Sequence, residues 1–186
     1  MELKKALQMN KNEIKFNNNY SSHSNSNPVK IIGFGNIFMS DDAVGIKVIE
    51  ELGRTDFCAD FNNVEIIDGS TSGIDLLFTL KDLDKAIIID ALDAGQADGE
   101  VVKFKLSDIV NMPDKTVKSF SLHDLNLEEV FTLMESLKIY PDITIIGIKP
   151  KIIAYGDKLS PEIECKIQEI ILMIKQEINK YKSEQP

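Results

Sequence analysis

Val29-Lys30-Ile31-Ile32-Gly33-Phe34-Gly35-Asn36-Ile37-Phe38-Met39-Ser40-Asp41-Asp42-Ala43-Val44-Gly45 holds a strand, a glycine turn, an acidic pair and the start of a helix in one short stretch. Val29 to Gly33 is an apolar run ending at glycine and predicts a buried strand. Ala43 to Gly53 carries Val44, Val48, Ile49 and Leu52 at helical spacing. Such a strand–turn–helix unit is the building block of an open α/β sheet, whose turns gather along the carboxyl edge where ligands bind. The glycines open like a dinucleotide fingerprint, but Phe38 stands where the third glycine is needed. Asp41 and Asp42 would also repel a phosphate at the helix N-terminus. Binding of NAD or another nucleotide is therefore not expected.

Outward from this unit, strands and helices alternate. Val64 to Asp68 predicts a second strand and Gly73 to Leu80 a short helix. Lys85 to Asp90 holds Ala86-Ile87-Ile88-Ile89, apolar on both faces as a central parallel strand should be. Val101 to Leu106 predicts a fourth strand. The Asp90–Val101 connection holds Gly95 and Gly99 and is too short for a parallel crossover, so this strand is expected to run antiparallel. Leu125 to Leu137 predicts a helix and Asp142 to Ile148 a fifth strand. Ser160-Pro161-Glu162 predicts a helix start with serine as N-cap, followed by the stripe Ile163, Ile167, Ile170, Ile174 and Ile178. The expected fold is a three-layer α/β/α sandwich on a five-stranded, mostly parallel sheet with one antiparallel strand.

The chain has 186 residues, 43% of them hydrophobic, which suits one domain plus a tail. Residues 1–28 include the polar run Asn17 to Pro28 and are expected to form a flexible leader, with a single domain over residues 29–186. No apolar run is long enough to cross a membrane or to make a secretory signal. The formal net charge of −9 argues against a nucleic-acid partner, which needs clustered Lys and Arg. Cys58 and Cys165 have neither metal nor redox spacing and are expected to be reduced thiols of a cytoplasmic protein.

Four residue positions carry the chemistry. Asp41 and Asp42 suit a helix N-terminus, but two adjacent acids cannot serve as the same cap, which frees one for the sheet edge. Asp68 stands at the end of the second strand before Gly69-Ser70-Thr71. Asp90 ends the third strand and Asp93 follows in its turn; both are candidate substrate-contacting or supporting acids. His123 and His23 are the only histidines, and His23 falls in the leader. Asp42, Asp68 and His123 lie 26 and 55 residues apart, so only the fold could assemble them. Two carboxylates and an imidazole suit zinc, nickel, manganese or ferrous iron, and three protein ligands leave positions open for substrate. No Gly-x-Ser-x-Gly elbow points to nucleophilic catalysis.

Five blocks in order resemble the hydrogenase maturation endopeptidase family: the Gly33-x-Gly35-Asn36 turn with Asp41-Asp42, Asp68-Gly69-Ser70-Thr71, Ile89-Asp90-Ala91, Ser121-Leu122-His123, and Ile146-Gly147-Ile148-Lys149-Pro150. The similarity covers Val29 to about Lys180. It departs at Ala43, where the family usually has Gly, and at Asp42, where relatives often have Glu. The resemblance implies an endopeptidase that removes a C-terminal extension from the large-subunit precursor of a nickel–iron hydrogenase. It implies metal positions at Asp42, Asp68 and His123, with nickel carried by the substrate and zinc able to replace it in vitro. Asp42, Asp68 and Asp90 are the candidate catalytic carboxylates. The shared nickel could polarise the scissile carbonyl or activate water; it could instead only position the peptide while Asp42 or Asp90 acts as general base. Two further readings stay open: a non-catalytic nickel-binding checkpoint or chaperone, and a divergent peptidase with another protein substrate.

Overall fold

A computed structural model describes residues 27–61, 63–70, 80–81, 83–111, 117–119 and 127–183. The expected leader up to residue 26, the helix expected from Gly73 apart from Leu80, and His123 lie outside the described residues.

Strand β1 (Val29–Phe34) leads through a 3-10 turn (Ser40–Ala43) into α1 (Val44–Gly53). A short helix α2 (Phe57–Asp60), with no signal in the sequence, precedes β2 (Val64–Ser70). Then follow β3 (Lys85–Asp93), β4 (Val101–Lys105), a 3-10 segment (Leu106–Asn111), β5 (Lys118–Ser119), α3 (Leu127–Leu137), β6 (Asp142–Ile148), α4 (Pro161–Glu164) and α5 (Ile167–Ser183). The sheet order is β2-β1-β3-β6-β4, with β5 paired to β3 off this path. The β1, β2, β3 and β6 pairings are parallel, and β4 runs antiparallel to β6 as its short connection requires. The two-residue β5, antiparallel to β3, adds a sixth strand to the expected five; it is too short to leave a periodic signal.

Alternation along the strands divides the core in two. Ile31, Ile87, Ile89, Ile146 and Ile148 face α1 and α5, packing on Val48, Leu52, Ile170 and Ile174. Ile32, Phe34, Ile88, Leu92 and Ile145 face the other side with Leu80, Leu106 and Met134 of α3. The central strands are apolar on both faces because helices cover both.

Two elements run past their expected ends. β3 continues through Asp90 to Asp93, so Asp90 lies inside the strand rather than at its end; pairing to β5 and β6 extends the ladder. β2 likewise continues through Asp68 to Ser70. The last helix also differs, being broken at Cys165 and Lys166 between α4 and α5. Ser160 precedes Pro161 in extended backbone as expected, but its side chain makes no cap. It is drawn instead to Asp41.

At the amino edge of the sheet, buried Glu177 of α5 accepts from Lys103 Nζ (3.0 Å) and Thr144 Oγ1 (3.1 Å), tying the helix to β4 and β6. Burial works to raise its carboxyl, but the Lys103 hydrogen bond and charge, helped by Thr144 and Lys105, hold it below the usual range. Lys105 Nζ pairs with Asp142 (2.7 Å) and donates to Thr144 Oγ1 (2.9 Å).

Candidate active site

The Gly33-to-Gly45 stretch folds back on itself with almost no clearance. Asn36 Oδ1 accepts from Phe38 N (3.0 Å), Asn36 O accepts from Met39 N (3.0 Å), and Asn36 N donates to Asp42 Oδ2 (3.0 Å). A Cβ on Gly35 would lie 2.1 Å from Asp42 O, and Gly35 has φ +151°. A Cβ on Gly33 would lie 2.3 Å from Gly45 O, and one on Gly45 would lie 2.2 Å from Phe34 O and 2.5 Å from Ile89 O. These glycines let the chain approach itself: the first turn of α1 rests directly on β1 and β3. That contact carries Asp42 to the carboxyl ends of both strands.

The acidic pair divides its work, though not as helix caps, since neither the 3-10 turn nor α1 has a side-chain cap. Asp42 is 1% exposed and accepts from Asn36 N, so it belongs to the glycine turn. Asp41 is fully buried and faces the other way. Its carboxylate accepts from Lys151 N (3.0 Å), Ile152 N (2.8 Å), Ser160 N (2.6 Å) and Ser160 Oγ (2.9 Å). The sequence reading missed the Asp41–Ser160 link. Its only trace was the long segment without periodicity between β6 and the last helices.

Asp68 and Asp90 flank this turn from neighbouring strands. Register sets Asp68 beside Gly33 and Gly33 beside Ile89, so Asp68 points to the α1 face with Ile89. Asp90, one residue on, points to the α3 face, between Ile88 and Leu92. Asp68 is exposed on the edge strand, whereas Asp90 is 1% exposed in the middle of the sheet. Asp90 pairs in register with Gly147, where a Cβ would strike the Leu92 side chain. Asp93 caps its own turn by accepting from Gly95 N (2.8 Å) and pairs with Lys149 (3.2 Å). Among the described residues no three His, Cys, Asp or Glu side chains form a metal-sized group. His123 lies outside the described residues; those flanking it in sequence are Ser119, paired with Leu92, and Leu127, which opens α3.

The chain leaves β1 toward α1 on one face, while Leu80, before β3, and α3 lie on the other. The crevice where connections part to opposite faces is the usual ligand position in an open α/β sheet, and here it opens at the end of β1, beside Asp42. Cys58 and Cys165 are exposed free thiols remote from it in sequence.

Fold and turn together define an α/β protein that gathers carboxylates at the carboxyl edge of its sheet. The profile of the hydrogenase maturation protease family matches residues 46–177. A HupD hydrogenase expression/formation protein of Bradyrhizobium diazoefficiens is 32% identical over 147 residues, covering 77% of this chain and 74% of that protein. The hydrogenase 2 maturation protease of Escherichia coli is 28% identical over 142 residues, covering 75% and 84%. The chain spans 65% of the length of a HupD protein from Thiocapsa roseopersicina, to which it is 29% identical. The solved hydrogenase maturating endopeptidase HybD from E. coli shares the fold, with TM-score 0.68 and 24% identity over 83% of this chain and 93% of that one. The chain belongs to the hydrogenase maturation protease family, a family of peptidases.

Proposed function

We propose that this protease removes a C-terminal extension from the large-subunit precursor of a nickel–iron hydrogenase, acting on precursor that already carries nickel. The observation that carries the reading is the burial of Asp42 at the switch point of the sheet, on a glycine turn that no bound nucleotide is needed to explain. Family membership supports the reaction class, and the names of the relatives support a hydrogenase precursor as substrate.

Asp42 and His123 are the proposed protein contacts to the substrate-borne nickel, as the resemblance implies. For the second carboxylate the resemblance-based expectation was Asp68, but the register favours Asp90. Asp90 lies two residues before Leu92, the partner of Ser119, on the face where α3 packs through Met134. Asp68 is on the opposite face and exposed, which suits contact with the incoming peptide. Hard oxygen donors and one imidazole fit nickel or zinc. The ion, when present, would supply Lewis acidity at the scissile carbonyl. The chain's own part is to orient the peptide and to accept the proton of the attacking water on Asp42 or Asp90, both shielded from bulk solvent. A cytoplasmic setting is consistent with the free thiols and with the absence, among the described residues, of any helix long and apolar enough to cross a membrane.

The test is mass spectrometry of purified precursor. Nickel-loaded precursor should be shortened at its C-terminus, nickel-free precursor should not, and His123→Ala should stop the cut while the fold is retained. Tight nickel-dependent association without cleavage would favour a checkpoint role. Equal cleavage of nickel-free precursor would point to a peptidase acting on sequence alone.

A further inference from the structure

The segment from Lys151 to Ser160 is bolted to the turn that carries Asp42. Asp41 receives both ends of it, through the amides of Lys151 and Ile152 and the amide and hydroxyl of Ser160. Between those ends Asp41 N donates to Ile152 O (3.2 Å), Ser40 N to Gly156 O (3.0 Å) and Gly156 N to Phe38 O (2.9 Å). Ser40 Oγ donates to Ala154 O (2.9 Å), and Ser40 itself sits at φ +49°, a conformation its neighbours must hold. Ile152, Ala154 and Gly156 thus engage the turn, with Gly156 forming a parallel bridge to Met39. The backbone groups of the alternate residues, Ile153 and Tyr155, make no hydrogen bond to the described residues.

The side chains over this junction are apolar and exposed. Ile37 and Phe38 come from the turn; Ile152, Ile153 and Tyr155 come from the segment, with Phe38 57% and Tyr155 87% exposed. Five large apolar side chains are thus exposed on two loops that hydrogen bonds join, a concentration of the kind that marks an interaction site. Phe38 lies between Asn36, whose amide donates to Asp42 Oδ2, and Met39, whose carbonyl accepts from Asp42 N (3.1 Å), so the turn that carries Phe38 is bonded directly to Asp42.

We propose that this junction receives the precursor's scissile segment as an extended peptide. The peptide pairs with the open backbone of Ile153 and Tyr155 and lays apolar side chains on Phe38, Ile37 and Tyr155, so that the bond to be cut arrives at Asp42. Asp41 is the positioning residue that fixes the receiving segment relative to Asp42. The proposal rests on the reading of this chain as a precursor-processing protease. An extended peptide fits because backbone groups left open on one edge of a segment paired on the other are the template for strand addition. Asp41 suits the positioning role because a buried carboxylate accepting four donors holds both ends of the segment at once.

Asn in place of Asp41 keeps the shape but turns an NH2 group toward donors: at least the Ser160 N bond to Oδ1 is lost, and every remaining bond loses the carboxylate charge that strengthens it. Hydrogen exchange of Asp41→Asn should show the amides of residues 151–160 opening at least about tenfold faster, with α1 and β3 unchanged. Ser160→Ala, which removes one bond and leaves the carboxylate, should give a smaller acceleration and serves if Asp41→Asn does not fold. With nickel-loaded precursor, Asp41→Asn, Phe38→Ala and Tyr155→Ser should each raise KM about tenfold with kcat within about threefold. Leu172→Ala, exposed on α5, should leave both unchanged. Unaltered exchange in both Asp41→Asn and Ser160→Ala would overturn the positioning role whatever the activity. Normal KM in Phe38→Ala and Tyr155→Ser, with cleaving wild type, would overturn the docking surface alone. Wild type that cuts no precursor would overturn the protease reading and docking with it. A wild-type dimer that Tyr155→Ser dissociates would assign the surface to a second copy instead.

Discussion

Gly45→Ala tests the link between backbone packing and the site. The new methyl would lie 2.2 Å from Phe34 O, 2.5 Å from Ile89 O and 2.7 Å from Phe34 N. Carbon contacts relax to about 3.5 Å, so the start of α1 must retreat by roughly 1 Å. Backbone atoms cannot rotate aside, which places the overpacking cost near the upper end of its usual range, about 3 kcal/mol. Alanine returns about 0.8–1 kcal/mol through helix propensity. The net loss of about 2 kcal/mol should lower Tm by about 4–8 °C in a chain of this size. The functional effect should be larger than the stability effect. Asp42 stands three residues before Gly45 and moves with the helix, and a misplacement of about 1 Å at a reacting group is worth on the order of 10²-fold in rate. The assay pairs a calorimetric melt with cleavage of nickel-loaded precursor. Gly53→Ala is the control, because nothing lies within 4 Å of its Cβ position. Wild-type Tm and wild-type cleavage in Gly45→Ala would refute the claim that close approach of α1 to β1 and β3 positions Asp42.

Two further expectations follow from the same structure. The Glu177 carboxyl is held below its ordinary range, so the stability it contributes is present above the unfolded carboxyl pKa and is lost as pH falls through the folded value. Melts taken from neutral pH to about 3 should fall less steeply in Glu177→Gln than in wild type, and Glu177→Ala should lose about 1–3 kcal/mol at neutral pH, less than a fully buried pair because Lys103 and Lys105 are partly solvated. Nickel or zinc affinity of the isolated protein, followed by calorimetry, should weaken as pH drops through about 6.5, because protons compete for the His123 imidazole; a flat profile would remove His123 from the ligands.

The sequence by itself determined the architecture. Apolar runs at Ile31, Ile87 and Ile145 can be buried on both faces only in a sheet covered by helices on both sides, and the short Asp90–Val101 link leaves no room for a parallel crossover. It also marked the Asp41-Asp42 pair, because two adjacent acids after a glycine turn cannot serve as one cap, and the family resemblance then implied Asp42. Only the tertiary structure decided which job each acid does. Asp41 looked like a helix acid until the segment before α4 closed on it, a contact across more than a hundred residues that no local pattern encodes. The faces of Asp68 and Asp90 were likewise hidden, since both strands run on past the expected ends. Which face a strand residue takes depends on register with its neighbours, and register is set by packing of the whole sheet rather than by the residues of one strand.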